Sequence, residues 1–406
     1  MLWIGSSGVS DANRGDAHGC EREKRGKHVW VWKFPGSVDS HPPSSGSPPT
    51  MGSRFVNLLA RSYGGPRYFS LHCMNPENLF RPTRSAVRAV QPLADAPLPP
   101  PSLSFGWPSN NGELAWMNFM AFGLNRDNLL AVDQIGRTIL YNHDSRLLRT
   151  GMPKMCRPTI DPISIAVGDS LYVMSRNPGP RPNQHCFQAL IHSRPPSSAS
   201  NAKDWCWYSL QPPPLFADGV EVESSGCDVL MPFKISAYTV VGDSQIWIST
   251  FSAGTYLYDT ASDAWSKIGN WALPFRGRAE YIPKHNLWFG FTPNDLQLCA
   301  ADLTTSCELW PPMLQNEWTD VNRPEDWRLR DASIVPLGSG KVCIARFFLT
   351  RPEESIEDMS GHALEERKNL AVLEGVEVLK HGEARLRMVK HKSERYVFGR
   401  DLAIPL

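Results

Sequence analysis

An apolar run, a tight polar turn and a second apolar run recur five times along this chain. A third strand-like segment and a polar or Trp-bearing fourth follow each time. The turns between first and second runs read Asn125-Arg126-Asp127-Asn128, Val167-Gly168-Asp169-Ser170, Val241-Gly242-Asp243-Ser244, Pro283-Lys284-His285-Asn286 and Leu337-Gly338-Ser339-Gly340. The second runs are Leu129–Val132, Leu171–Met174, Ile246–Ile248, Leu287–Phe291 and Val342–Ala345. Short apolar runs bounded by turn chemistry are the pattern of strands buried on both faces. Third strands are expected at Ile139–Tyr141, Phe187–Leu190, Tyr256–Asp259, Leu296–Cys299 and Leu370–Leu373.

Measured from Val167, the equivalent turns lie 42 residues earlier and 74, 116 and 170 later. Two of the steps are therefore 42 residues, inside the roughly 40–50-residue period of propeller blades. The longer steps hold insertions at 194–204, 211–225 and 310–326, expected to become loops at one end of a disc. Arg351 to Lys368 is densely charged and reads as a partly helical insertion (351–367) between two strands of the last unit. Phe55–Leu59 and Tyr68–His72 resemble second and third strands without a first, and Arg395–Phe398 is a strand without companions. Pairing the two ends would remove a dangling sheet edge. The expectation is an all-β Kelch-like β-propeller of six blades, five as the fallback, with N- and C-terminal strands sharing the closing blade.

Residues 1–50 lack this pattern. They are rich in Gly, Ser, Pro and charge and end in His41-Pro42-Pro43-Ser44-Ser45-Gly46-Ser47-Pro48-Pro49, a composition that cannot bury enough apolar surface to offset ordering entropy. They are expected to be a disordered extension, an artefact of the gene model, with Met51 as the natural start and residues 51–399 as a single propeller. A Pro-rich tether is expected at about 81–104, densest at Pro99-Pro100-Pro101.

Composition sharpens the picture. Fourteen Trp suit repeated sheet-on-sheet packing, and 35 Pro with 30 Gly imply many turns. With 42 basic and 41 acidic residues the net charge is +1, which gives no general attraction to nucleic acid or anionic membrane. Nine scattered Cys without C-x-x-C read as buried thiols, and there is no N-x-[ST] acceptor, signal-peptide core or apolar run long enough to span a bilayer. The protein is therefore expected in the cytoplasm or nucleus, as a monomer, with neither nucleic acid nor membrane as partner.

Candidate chemistry is sparse. Gly338-Ser339-Gly340-Lys341 lacks the outer Gly and the Ser or Thr of a phosphate loop; those places hold Val335 and Val342. His185 and His192 point to opposite faces of any one strand, so with Cys186 they make no zinc set. No G-x-S-x-G is present. The alternating Arg385-Leu386-Arg387-Met388, in a basic stretch from Lys380 to Arg400, reads as one solvated face of an outer strand. No catalytic, cofactor-binding or metal residue is assigned, and no cofactor is expected.

Gly254-Thr255-Tyr256-Leu257-Tyr258-Asp259 followed by Ala264-Trp265 resembles a Kelch repeat, in which the Tyr and the downstream Trp pack between blades; Gly254 alone stands for the usual double glycine. Arg54–Leu58, Tyr68–His72, Leu273–Tyr281 with Leu287–Gly290, Leu298–Ala301 and Leu386–Ser393 resemble a group of uncharacterised Kelch-like proteins expanded in cereal grasses, catalogued as a domain of unknown function. The resemblance covers about Met51 to Phe398. It implies a propeller and a plant origin and carries no catalytic residues to transfer. Many plant propellers of this kind follow an F-box, but residues 1–50 have no matching helical periodicity. The expected function is a non-enzymatic protein-interaction scaffold that meets another protein through loops at one end, near the 194–204, 211–225, 312–326 and 351–367 insertions. The alternative is a small-molecule or carbohydrate-handling propeller, such as a galactose-oxidase-like enzyme.

Overall fold

The computed structural model describes residues 53, 55–61, 68–80, 95–106, 116–178, 186–195, 202–215, 233–319, 326–350, 356–357, 363–364, 368–381, 385–398 and 402–405. All of them belong to the unit Pro48–Leu406. The extension expected over residues 1–50 lies outside the described residues.

Among the described residues, six four-stranded antiparallel sheets succeed one another along the chain, the fourth and fifth joined edge to edge into one of eight strands. Sheet 1 holds β1 (Val56–Arg61), β2 (Tyr68–Met74) and β3 (Leu103–Gly106). Sheet 2 is β4 (Met117–Phe122), β5 (Asn128–Asp133), β6 (Thr138–Asn142) and β7 (Leu147–Arg149). Sheet 3 is β8 (Ile163–Val167), β9 (Ser170–Met174), β10 (Phe187–Ser193) and β11 (Asp204–Ser209). Sheet 4 is β12 (Ile235–Val241), β13 (Gln245–Thr250), β14 (Gly254–Asp259) and β15 (Ala264–Gly269). Sheet 5 is β16 (Arg276–Ile282), β17 (Leu287–Phe291), β18 (Leu298–Ala301) and β19 (Leu314–Trp318). Sheet 6 contains β20 (Trp327–Gly338) and β21 (Lys341–Thr350), then, after the small pair β22 (Ile356–Glu357) and β23 (Ala363–Leu364), β24 (Asn369–His381) and β25 (Arg385–Val397). The last strand, β26 (Leu402–Pro405), returns to pair with β1. Sheets 4 and 5 are joined by a short parallel pairing, Ala237-Tyr238 with Gly277-Arg278, so their first strands run in the same direction.

The continuous apolar runs are explained by burial of both sheet faces. On β5, Leu129 and Ala131 pack against Leu59 and Leu71 of sheet 1, while Leu130 and Val132 pack against Leu171 and Val173 of sheet 3. Sheet 3 then meets sheet 4 through Tyr172, Phe187, Ile248 and Tyr258, and sheet 4 meets sheet 5 through Trp247 and Trp288. Sheet 5 meets sheet 6 through Phe289, Leu298, Ile344 and Val376. Sheet 6 packs Cys343, Ala345 and Leu373 on Val56 and Leu58, so the packing order returns to sheet 1. A strand whose alternate side chains are claimed by different neighbours has no polar face to alternate, which is why period-two patterning is faint here.

Each of the five turns between first and second strands contains a residue with left-handed backbone: Arg126, Gly168, Gly242, Asn286 and Ser339. Glycine takes that conformation freely, whereas a residue with a Cβ adopts it at a cost.

Several expectations are corrected. Arg395–Phe398 does not close sheet 1: Arg395, Tyr396 and Val397 end β25, the outer strand of sheet 6, paired with β24. Closure falls to Leu402–Pro405, which takes the first position of sheet 1 while β1 and β2 take the second and third. Tyr396 still lies beside sheet 1, in the cluster that holds Val56 and Leu58. The third strand of sheet 5 is Leu298–Ala301, because Leu296 adopts a left-handed turn at φ 53°. Within the charged insertion, the described residues Ile356-Glu357 and Ala363-Leu364 pair as strands and are not helical. Of the tether, residues 81–94 lie outside the described residues. Asp95 pairs with Arg395, Pro99 O accepts from His72 Nδ1 at 2.7 Å, and Leu103-Ser104 already belong to β3.

Candidate functional site

In a four-stranded meander the second-to-third connections and the links to the next sheet leave at one end, here called upper; the other connections leave at the lower end. By this parity the expected insertions at 211–225 and 351–367, and the part of 312–326 that follows β19, are attached at the upper end, whereas Pro312 and Met313 precede β19 and belong to the lower end. The 194–204 segment joins β10 to β11, third to fourth strand, and so belongs to the lower end, contrary to the expectation that all four share one end. Three large apolar side chains are exposed at the upper end of consecutive sheets: Ile135 at 50%, Ile160 at 71% and Phe251 at 73%. The lower end carries its own exposed group, Leu309, Trp310 and Met313, on the β18–β19 connection.

Polar groups of the first strands and their flanks converge between the sheets. Arg126, in the β4–β5 turn, donates through Nη2 to Glu280 Oε1 on β16. Sheets 2 and 5 stand three steps apart in the packing order, the largest separation six sheets allow, so this pair crosses the centre of the assembly. Glu280 Oε1 also receives Arg278 Nε at 2.6 Å. Towards the upper end, Arg176 Nε lies 2.9 Å from Asp161 Oδ2 but is not aligned for a hydrogen bond. Arg176 of sheet 3 and Asp331 on β20 of sheet 6 again face each other across three steps, close enough to interact electrostatically.

The surroundings bias these groups away from their charged forms. Burial lowers the Arg278 pKa, assisted by repulsion from Arg126 and opposed by Glu280. Burial raises Tyr238, whose residue pairs with Arg278 across the parallel junction, in spite of Arg176 and Arg278 nearby. Crowding by protein raises the Asp331 carboxyl even though solvent still reaches it. The centre is thus an assembly of four arginines (Arg126, Arg176, Arg276 and Arg278) and three carboxylates (Asp161, Glu280 and Asp331) drawn from four sheets.

A second feature is a cleft of about 530 Å³ between β3 and sheet 2, lined by Phe105, Met117, Asp133, Arg137, Met152 and Lys154, among others. Its carboxylate is committed to structure: Asp133 Oδ1 accepts from the backbone of Ile135 and Arg137, and Oδ2 from Arg137 Nε at 2.5 Å.

The residues that the sequence offers as candidates do not assemble. His185 lies outside the described residues, Cys186 is buried, and His192 packs its ring on Trp205 at 5.1 Å. No group of three His, Cys, Asp or Glu able to hold a metal occurs among the described residues. Gly338–Lys341 is the β20–β21 turn, with Lys341 over the Phe80 ring. Leu386 and Met388 of β25 pack inward while Arg385 and Arg387 face solvent. The central charged cluster escapes sequence reading, because its members are spread from Arg126 to Asp331 with no local motif. The left-handed Arg126, in a turn type that uses Gly168 and Gly242 in the next two sheets, is the trace it leaves.

Among the described residues no helix is long and apolar enough to cross a membrane. No curated protein matches the chain. Among solved structures, the chain is similar to the β-propeller domain of Cps50 (Swd1) from Myceliophteria thermophila at 10% identity and TM-score 0.38, covering 84% of this chain and 85% of that one. It is similar to an auxiliary nutrient binding protein from Bacteroides thetaiotaomicron at 10% identity and TM-score 0.29, covering 66% and 56% respectively. Dihydro-heme d1 dehydrogenase NirN gives 10% identity and TM-score 0.31 over 88% and 79%. Likeness this distant carries no functional argument. Residues 53–396 match a single family along most of the chain, and the protein belongs to that family, described as Protein of unknown function (DUF1668).

Proposed function

We propose that this chain is a Kelch-like propeller of six blades, non-catalytic, that binds another protein through its upper face. The cyclic packing order of six sheets supports the blade count. Kelch-like packing is supported by Tyr258 and Trp265, whose rings lie 4.9 and 5.6 Å from Phe187 of the preceding sheet. The observation that carries the binding proposal is the coincidence at one end of long connections with exposed Ile135, Ile160 and Phe251. Loops held by a rigid scaffold are the usual place for recognition, and exposed apolar groups supply the area a partner would bury.

The test is proximity labelling with the full chain and two double variants. Ile160→Glu/Phe251→Glu alters the upper face; Leu309→Glu/Trp310→Glu alters the lower one. All four residues are exposed, so each single change should alter stability by no more than about 0.5 kcal/mol. A set of protein neighbours lost with the first variant and retained with the second is expected. Neighbours lost only with the lower-face variant, or insensitive to both, would overturn the proposal.

A further inference from the structure

We propose that the upper part of the central cluster is a binding site for a small dianionic oxyanion, the phosphate group of a soluble ligand. The site uses none of the residues substituted in the protein-binding test, although Asp161 follows Ile160, and the two proposals are read by different assays on different variants, so either can fail alone.

The argument begins with charge. Glu280 is shared by Arg126 and Arg278, so that triad keeps one positive charge in excess. Arg176 has a buried Nε with no hydrogen bond, and the Asp161 that forms its ion pair is 70% exposed. Arg276 opens β16 at the same end and has no hydrogen-bond or ion-pair partner among the described residues. The facing carboxyl, Asp331, is near enough to Arg276 and Arg176 for both to pull its pKa down, against the burial that raises it. Counting Arg126, four guanidiniums thus meet three described carboxylates in this cluster, an excess of one positive charge.

Geometry decides where a ligand would sit. The Arg126–Glu280 bridge crosses the centre nearer the lower end, since Arg126 belongs to a first-to-second turn. Asp161, Arg176, Arg276 and Asp331 stand towards the other end. Arg126 also holds a left-handed backbone at φ 55°, in a turn where the next two sheets place glycine, which takes that conformation at less cost. Guanidinium forks match phosphate oxygens two at a time, and Tyr238, close enough to Arg176 and Arg278 to interact electrostatically, adds a hydroxyl donor.

The proposal is tested on the full chain by isothermal titration with inorganic phosphate at constant ionic strength, with chloride and succinate as comparison anions. Saturable phosphate binding, weakened about tenfold or more in Arg276→Gln, is expected, because a hydrogen bond to a charged group is worth about one decade of affinity or more. Arg276 is exposed, and its replacement should leave the unfolding midpoint in chloride unchanged. Arg176→Gln provides the second variant and should weaken binding likewise. Heat that follows ionic strength alone, saturation by succinate with none by phosphate, or wild-type affinity in both variants would overturn the assignment.

Discussion

The most heavily buried ion pair among the described residues offers the sharpest test of how sheet 6 is held. Arg346 on β21 and Glu374 on β24 have side chains only 5% and 8% exposed, and Arg346 Nη1 donates to Glu374 Oε2. The other carboxylate oxygen accepts from Lys390 Nζ at 2.8 Å and from Ser393 Oγ at 3.4 Å, both on β25. The glutamate therefore ties three adjacent strands together on one face. Arg346→Met would keep most of the buried volume and remove the inner cation. Breaking a buried pair costs roughly 3–5 kcal/mol, because the remaining charge stays desolvated. Here the cost should fall near the lower limit, about 3 kcal/mol, since Lys390 is 38% exposed and still faces the carboxylate.

That loss is large against a total stability on the order of 5–15 kcal/mol. With a urea m-value near ~3 kcal/mol/M for a protein of this size, the midpoint should fall by about 1 M. The double variant Arg346→Met/Glu374→Leu replaces the whole pair with apolar volume and should return to within about 1 kcal/mol of the starting protein or exceed it. The assay is equilibrium urea unfolding followed by tryptophan fluorescence and circular dichroism, with coincident transitions required before free energies are compared. A loss under about 1 kcal/mol in the single variant, or a double variant no better than the single, would refute the reasoning.

Three further outcomes follow from the same structure. Gly254→Ala should destabilise by roughly 1–3 kcal/mol in urea unfolding, because a Cβ there would sit 2.3 Å from Gly269 O on backbone already at φ +84°. A brief alkylation pulse on native protein at pH 8, read by mass spectrometry, should modify exposed Cys156 and Cys307 and spare Cys299 and Cys343, both buried and pushed up to about 12; native labelling of Cys343 would contradict its place between sheets 6 and 1. Burial lowers the pKa of both His143 and His285 from 6.5, so the unfolded chain binds their protons first: stability should be fully present above about pH 6.5 and decline as pH falls through the depressed native values. His285→Gln should make the thermal midpoint fall less steeply between about pH 7 and 5.5, and an unchanged slope would count against the assignment.

What the sequence discloses is local. Gly168 and Gly242 mark hairpins because two- and three-residue turns need left-handed backbone, and the apolar runs after them are wholly buried second strands. The closing strand is hard to place for an equally local reason. Arg395-Tyr396-Val397 is a strong β sequence, and β24 runs on to His381 past Gly375, whose Cβ position is filled by Leu79; that extension supplies a partner that the pattern of short runs does not suggest. Leu402–Pro405 is four residues long and ends in proline, which cannot donate to a ladder, so nothing in it advertises an inner strand. The end of the disc that receives the 194–204 segment is equally hidden, because parity depends on counting every strand before it.

The central cluster is illegible for a different reason, and that reason bears on how such families should be read. Arg126 and Glu280 are 154 residues apart, and each looks ordinary in its own blade-length unit. A motif search finds residues that neighbour one another along the chain, whereas a cyclic array of sheets brings together one or two residues from each unit, at the same register but of different kinds. Identity at equivalent positions is therefore the wrong signal; departure from the unit's own consensus is the right one. Arginine in a turn where neighbouring sheets place glycine, and charge on first strands otherwise occupied by Ile163, Ile165 and Ala237, are such departures. They cost stability locally, through strained backbone and desolvated charge, and within their own sheets only the Arg278–Glu280 pair offsets it. Their compensation has to come from the centre, where side chains from opposite sheets meet.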